Sequence, residues 1–407
     1  MKRQRRQPGD QEAQGVFSVF RFSLIALISR LLFCLLVPAC GSSEKHADIP
    51  KLPPAKPEAV EALKDAARLV RLGPGNLERA LDRLKDAIQI DPQLWEAWYD
   101  AGWIELSRHH TDEAIAALEK ARSILPTHAP TAEALAQAYV QAGRAPDAVK
   151  TLRAYLDKQP NAREANAVRV QLAMAQRRAN KLDDATETLR TVLRAEPRSA
   201  AALSALGMVY EARGQHELAD LVLHRALDID KDSKAAADVY NNLGLVALAR
   251  RRDQEAFADF DAASRVDPSL TVARRNKAMV YLDCGDYARA SEELRAVTHA
   301  DPTDVEAWNA LGVAERGEGK FDAAQKAYEK ALAAEATGPG AADALFNLAV
   351  LYMDFKKEPQ KARARLDEYL KVASPSHPRR ADAEARAREL AKQAPAAPQS
   401  KPEASGS

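Results

Sequence analysis

Beyond residue 60 the chain repeats itself. Small and large apolar residues return at a period of 34, and each period reads as two helices joined by a short polar turn. In the period at 95–128, Trp95-Glu96-Ala97-Trp98-Tyr99-Asp100-Ala101-Gly102 opens the first helix, Thr111-Asp112-Glu113-Ala114 opens the second, and Leu118, Ala121 and Pro126 follow. The same step places units at 61–94, 95–128, 129–162, 166–199, 200–233, 237–270, 271–304, 305–338 and, more loosely, 342–375.

Three columns of this register predict how the two helices meet. The eighth position is small: Gly102, Ala136, Ala173, Gly207, Gly244, Ala278, Gly312 and Ala349, with Arg68 the exception in the first unit, as expected of a terminal repeat that no neighbour covers. Alanine holds the twentieth position from Ala80 to Ala324, and Ala362 joins it after a one-residue shift. The twenty-fourth is large: Leu84, Leu118, Leu152, Leu189, Leu223, Phe260, Leu294, Tyr328 and, shifted, Leu366. Small residues let helix backbones approach closely, and the large one fills the space between them. Pro92, Pro126, Pro160, Pro197, Pro268 and Pro302 fall just past the second helix, where a missing N–H and a fixed φ end it. Three-residue insertions precede Asn166, Ala237 and Ala342.

Composition agrees with an all-α chain, since Ala, Leu, Arg and Glu dominate and aromatic residues are 6%. Without its first forty residues, which hold six basic and two acidic side chains, the chain carries a net charge of −3. A mildly acidic body argues against a nucleic-acid partner, which needs clustered Lys and Arg to neutralise phosphates.

These columns resemble the tetratricopeptide repeat (TPR) family, over nine units covering 61–375. That resemblance implies a right-handed superhelix of helix hairpins, an α-α solenoid. Segment 376–393 reads as a polar capping helix, and the Pro-, Ala- and Ser-rich tail 394–407 as disordered. In the family the first helices line a concave surface, with their second, fifth, sixth, ninth and twelfth positions pointing into it. The sixth position supplies Asn242, Asn276 and Asn347, and Asn309 stands one place earlier in its unit. Each asparagine carries donors and an acceptor, so a row of them is expected to grip the backbone of an extended peptide or a helix segment. The ninth position adds Met174, Met208, Leu245, Met279, Val313 and Val350, open to two readings, a flexible apolar stripe for partner side chains or hairpin packing. Arg275, Asp238, Glu306 and Asp343 edge this groove, which is expected to run from Asp238 to Val350. The second positions, Ala201, Asp238, Val272 and Glu306, lack the cations of the family's carboxylate clamp. Tyr99 and Trp103 fall at groove positions of the second unit and form a possible second interface, with simple packing as the alternative.

The N-terminus follows a different pattern. A basic start leads to the apolar run Leu31-Leu32-Phe33-Cys34-Leu35-Leu36-Val37, then Pro38-Ala39-Cys40-Gly41, which resembles a bacterial lipoprotein signal in residues 1–39. The resemblance implies a diacylglyceryl group on Cys40 and, because Gly41 and not Asp follows, export to the outer membrane, facing the periplasm. Arg21 and Arg30 interrupt the roughly 20 apolar residues that an uncleaved membrane anchor would need. Residues 40–60, rich in proline, form the tether.

Catalytic chemistry finds no foothold. Gly73-Pro74-Gly75 is a hairpin turn and not a phosphate loop. His109, His110 and Glu113 share a turn, but adjacent histidines rarely converge on one ion, and no second cluster completes a shell. Cys284 has no nearby histidine and reads as a small packing residue. The expectation is a non-catalytic scaffold without cofactor, metal or small-molecule substrate. It would bind proteins and help assemble an envelope complex, as do the type IV pilus pilotins and myxobacterial gliding-motility lipoproteins that it resembles. An accessory lipoprotein recruiting a cell-wall hydrolase or synthase is the alternative.

Overall fold

The structure, a computed structural model, describes residues 52–393 apart from 232, 336 and 337, and its regular elements are all helical. The described residues form two compact units, 52–231 and 233–393. In the first unit, five hairpins pair α1 (Pro57–Arg71) with α2 (Leu77–Ile90), α3 (Trp95–Ser107) with α4 (Thr111–Ile124), α5 (Ala129–Gln141) with α6 (Ala145–Lys158), α7 (Ala165–Arg178) with α8 (Leu182–Ala195), and α9 (Ala200–Ala212) with α10 (His216–Ile229). In the second, four hairpins pair α11 (Ala236–Ala249) with α12 (Asp253–Val266), α13 (Thr271–Asp283) with α14 (Tyr287–Ala300), α15 (Val305–Gly317) with α16 (Phe321–Ala334), and α17 (Pro339–Val350) with α18 (Pro359–Val372), followed by α19 (Arg380–Gln393). Within each unit the first helices of successive hairpins touch one another more extensively than the second helices do, which makes the odd-numbered helices the inner layer.

The hairpins close on the columns read from the sequence. Every alanine of the twentieth position, from Ala80 to Ala362, is fully buried, and every large residue of the twenty-fourth is at most 1% exposed. Each hairpin sets a small residue against a large one, and at Gly102 and Gly207 the large residue is a leucine, Leu118 and Leu223, each 2.6 Å from where a Cβ would stand. The two aromatic fillers, Phe260 and Tyr328, lie over Gly244 and Gly312, where an added Cβ would meet the ring, at 2.5 Å in the case of Phe260. The alanines Ala136, Ala173, Ala278 and Ala349 share their core clusters with leucines, Leu152, Leu189, Leu294 and Leu366.

Two apparent departures have local causes. Helix α1 starts at Pro57, four residues before the expected boundary, and Arg68 is largely exposed. The small residue that packs in the first hairpin is Ala66, which is 1% exposed and clusters with Leu84. The turn Leu72–Asn76, with a short 3-10 segment at Pro74–Asn76, is two residues longer than the Arg108–His110 turn and displaces the register by that amount. Arg68 is therefore an artefact of the fixed step, and not the mark of an uncovered terminal repeat. In the last hairpin, α17 runs into a π-helical turn at Leu351–Phe355. A π turn inserts one residue into a helix, which is the shift that Ala362 and Leu366 required.

Each first helix ends on a left-handed residue. Gly73, Gly143, Gly214, Gly285 and Gly319 take it without a Cβ penalty, whereas His109, Asn180, Arg251 and Lys357 adopt φ of 56–62°. The following N–H reaches back to the helix, as in Arg144 N to Tyr139 O at 2.7 Å and Lys320 N to Glu315 O at 2.8 Å. Between hairpins, Asp267 and Asp301 precede the terminating prolines and accept from the N–H groups of Ser269 and Thr303 at 2.9 and 3.0 Å. Trp98 and Trp308 donate from Nε1 to the carbonyls of Pro92 and Pro302 at 3.1 and 2.9 Å, fixing each turn to the next first helix.

Helix α19 lies against the final hairpin through Ala383, Ala387 and Leu390. The segment before it brings His377 to Tyr369 Oη at 2.7 Å and sets the Arg379 guanidinium over the Phe346 ring.

Size matching predicts a rescue. Gly312→Ala should destabilise the second unit by about 1–3 kcal/mol through overpacking against Tyr328, and Tyr328→Leu in the same chain should restore most of the loss. Urea denaturation of the two single variants and the double variant checks this; additive losses would contradict it.

Candidate functional site

The inner layer of the second unit carries the asparagines. Their arrangement is a pair of rungs and not an open ladder. Asn276 on α13 donates from Nδ2 to Oδ1 of Asn241 on α11 at 2.9 Å, and Asn347 on α17 donates from Nδ2 to Oδ1 of Asn309 on α15 at 2.8 Å. Both bonds join the fifth position of one repeat to the sixth of the next. Asn347 is 5% exposed and its Oδ1 also accepts from Arg379 Nη1 at 3.0 Å, so the segment leading to α19 closes that end. Asn242 is buried as well. Asn276 and Asn309 remain half-buried and reachable.

Several groove residues therefore stand elsewhere than expected. Arg275 is 4% exposed; its Nη1 donates to Asp304 Oδ2 at 2.6 Å and its Nη2 lies 3.3 Å from Glu306 Oε2. Asp304 is also the N-cap of α15, accepting from Ala307 N at 2.8 Å. A groove-edge cation is in fact an internal clasp tying α13 to the start of α15. Met208 is buried in the first unit, so it offers no surface to a partner. Leu245 and Met279 are partly exposed, and they pack at the margins of the core clusters of their own hairpins.

In the first unit, Tyr99 is 7% exposed and its ring meets Trp95 and His128, the latter edge-on at 5.3 Å between centroids. Trp103 is half-buried against the core of the first hairpin. The aromatics are thus mainly packed, the packing alternative of the two readings. Around them the inner face is acidic. Burial, reinforced by the neighbouring Glu96 carboxylate, pushes Asp100 up to about 7. Burial and the charge of Glu164 push Glu133 up to about 7 as well. Glu96 is raised by the same desolvation, and the Tyr99 phenol is raised by burial with Asp100 and Glu133 adding to it.

Two residues that matter here escaped the sequence reading. Asn241 sits in the same column as Asn309, and the fifth position read along all repeats would have found it together with Glu133. Of the groups set aside as chemistry, His110 Nδ1 faces Glu105 Oε2 at 2.8 Å, and among the described residues no set of His, Cys, Asp or Glu is placed to hold a metal ion. Cys284 is exposed at the C-cap of α13 and not packed. No described helix is long and apolar enough to cross a membrane. Cys40 and the segment around it lie outside the described residues.

The raised carboxyls carry a sign. Between the unfolded values of 3.8 for Asp100 and 4.5 for Glu133 and the folded value of about 7, the folded chain binds more protons than the unfolded one. Their contribution to stability therefore falls as pH rises through this window. The variant Asp100→Asn with Glu133→Gln should be more stable than the parent at pH 8, by on the order of 1–3 kcal/mol, and the advantage should vanish near pH 4. Denaturation at the two pH values checks this, and a pH-independent difference would contradict it.

Two family profiles, each described as tetratricopeptide repeat, match the chain, one at residues 105–172 and 247–313 and the other at 69–129, 170–235 and 314–378. Among curated proteins, the chain is similar to the heat-shock protein cognate co-chaperone sgt12 of Aspergillus fumigatus, 30% identical over 109 residues, which is 27% of this chain and 31% of that protein. It is also similar to the TPR repeat-containing protein PA0015 of Pseudomonas aeruginosa, 40% identical over 57 residues, 14% of this chain and 54% of that protein. The matched stretches span about a third and about half of these two relatives. Among solved structures, the fold is similar to that in the crystal structure of the APC/C hetero-tetramer Cut9–Hcn1, with a TM-score of 0.51 and 17% identity over 77% of this chain and 59% of that one. Profiles of one family that together run over residues 69–235 and 247–378, on hairpins closed by the columns described above, establish that this chain belongs to the tetratricopeptide repeat family.

Proposed function

We propose that the chain is a non-catalytic scaffold that binds partner proteins along its inner helix layer, and that it does so as a lipoprotein held by Cys40 at the periplasmic face of the outer membrane. Its task on this reading is to help assemble an envelope complex, of the gliding-motility or pilus and secretion kind. One observation carries the protein-binding part. In the two asparagine rungs, the Nδ2 of Asn276 and the Oδ1 of Asn309 are committed to neighbours, which leaves the Asn276 Oδ1 as an acceptor and the Asn309 Nδ2 as a donor on half-buried residues of successive first helices. A peptide backbone offers the complementary N–H and C=O at every residue, so this pair suits a linear segment of any sequence. Leu245, Met279, Val313 and Val350, all partly exposed, supply apolar contact beside it.

The anchor rests on the N-terminal pattern: a basic start, the apolar run Leu31 to Val37, and Cys40 followed by Gly41. Attached acyl chains would hold the protein where a partner machine is built, and more than one chain is needed for stable attachment.

Two measurements test these parts separately. A photo-crosslinking residue placed at Met279 in intact envelopes should capture a component of an envelope machine. Asn276→Ala with Asn309→Ala should lower the yield several-fold while helix content and melting are retained. Unchanged yield would overturn the groove, and capture of a cell-wall hydrolase or synthase would replace assembly with enzyme recruitment. For the anchor, Cys40→Ala should abolish incorporation of labelled palmitate and release the protein from membranes; a variant still membrane-bound at unchanged size would overturn it.

A further inference from the structure

We propose that Asp343, Phe346 and Asn347 on α17 form a site for one arginine side chain of the bound partner, a site that the chain fills with its own Arg379 until the partner arrives. The inference rests on the groove proposed above and says what a segment lying in it carries at its α17 end. Arg379 belongs to the turn before α19, and its side chain crosses to the inner-layer helix α17. Its guanidinium carbon lies 5.1 Å from the centre of the Phe346 ring, its Nη1 donates to Asn347 Oδ1 at 3.0 Å, and the same nitrogen stands 3.7 Å from Asp343 Oδ1. Asp343, Phe346 and Asn347 hold the second, fifth and sixth positions of their repeat, three of the columns expected to face the groove. A planar group that stacks on a ring while donating in its own plane to an amide and a carboxylate is a guanidinium. An ammonium is a point charge and cannot do both.

Two observations separate this contact from the packing that holds the C-terminal helix. The sister rung forms without an arginine: Asn276 donates to Asn241 as Asn347 donates to Asn309, and its Oδ1 is left open. Arg379 is therefore an addition to its rung and not a part of it. Helix α19, for its part, is anchored by other groups. Ala383, Ala387 and Leu390 bury against the last hairpin, Arg363 Nη1 donates to Ala387 O at 2.7 Å, and Arg380 Nη1 donates to Leu370 O and Ala373 O at 3.3 and 2.8 Å, closing the end of α18. The Arg379 side chain is 34% exposed, so it can swing into water while α19 stays in place.

Arg379 fills the site incompletely. At 3.7 Å from Asp343 its Nη1 is beyond hydrogen-bond reach, and its backbone is pinned in a turn where its N–H meets His377 Nδ1 at 3.4 Å. A partner's arginine arrives without that tether, so its two Nη groups can donate to Asn347 Oδ1 and Asp343 Oδ1 together, the bond to the carboxylate being the stronger. Asn347 Nδ2 in turn donates to Asn309 Oδ1 at 2.8 Å, which joins this site to the Asn276 and Asn309 pair. One segment lying along α13, α15 and α17 reaches both.

Chemical rescue of the full chain tests the site without the groove. Arg379→Ala should melt below the parent, and millimolar acetyl-arginine methylamide should raise its melting temperature and not the parent's. The citrulline analogue, equal in shape and uncharged, should raise neither. Arg379→Lys, which keeps the charge and loses the planar fork, takes the same rescue test if the alanine variant does not fold. A fluorescein-labelled twelve-residue peptide with one arginine, compared by anisotropy with its citrulline counterpart, then tests the partner. The arginine peptide should bind Arg379→Ala about tenfold or more tighter than the parent, whose site is open only while Arg379 is swung out. Asp343→Asn in the same chain should remove that gain, and the citrulline peptide should bind parent and Arg379→Ala alike. Rescue without binding of either peptide would leave the arginine site standing and overturn the groove. Absence of rescue, or equal binding of the two peptides to Arg379→Ala, would overturn the arginine site.

Discussion

Everything in this protein hangs on the contact between a small residue at the eighth position of a repeat and a large one at the twenty-fourth. It sets how closely the helices of a hairpin approach, and each unit of the chain is a succession of such hairpins. The contact sets small against large: aromatic rings at Phe260 and Tyr328 and the leucines Leu118 and Leu223 lie over glycine, and leucines Leu152, Leu189, Leu294 and Leu366 share their cores with alanine. Because the match is internal to each hairpin, the outward side chains of the first helices are left to vary, and they carry the differences between one stretch of the inner layer and another.

Much of this architecture was readable before any coordinates, because a packing contact repeated at constant spacing leaves a column in the sequence. Features that broke the spacing were harder to read. Arg68 looked like a frayed first repeat, whereas two extra turn residues had moved the packing residue to Ala66. The one-residue shift at Ala362 was visible, but its cause, a π turn at Leu351–Phe355, was not, since no residue type announces a π turn. The left-handed turn residues were half legible: glycine marks them at Gly143 or Gly319, but His109 and Arg251 occupy the same conformation with no such signal.

Legibility was poorer on the inner face. Periodicity tells which face a residue occupies and not which neighbour it meets, so Asn276 and Asn347 were recognised while their partners, Asn241 and Arg379, were not. Arg275 illustrates the same limit: its column pointed inward, and Asp304 at the end of the same repeat drew it into the core. What stays available is narrower than the columns implied. It amounts to a neutral polar pair at Asn276 and Asn309 on the first helices of the second unit.

The central claim is that partners are held on the layer of first helices. Hydrogen–deuterium exchange of the full chain, alone and bound to its crosslinked partner, tests it most directly. Slowed exchange should map to odd-numbered helices, α13 and α15 foremost, with the even-numbered helices unchanged. Protection confined to the even-numbered helices would place the partner on the opposite face and contradict the account.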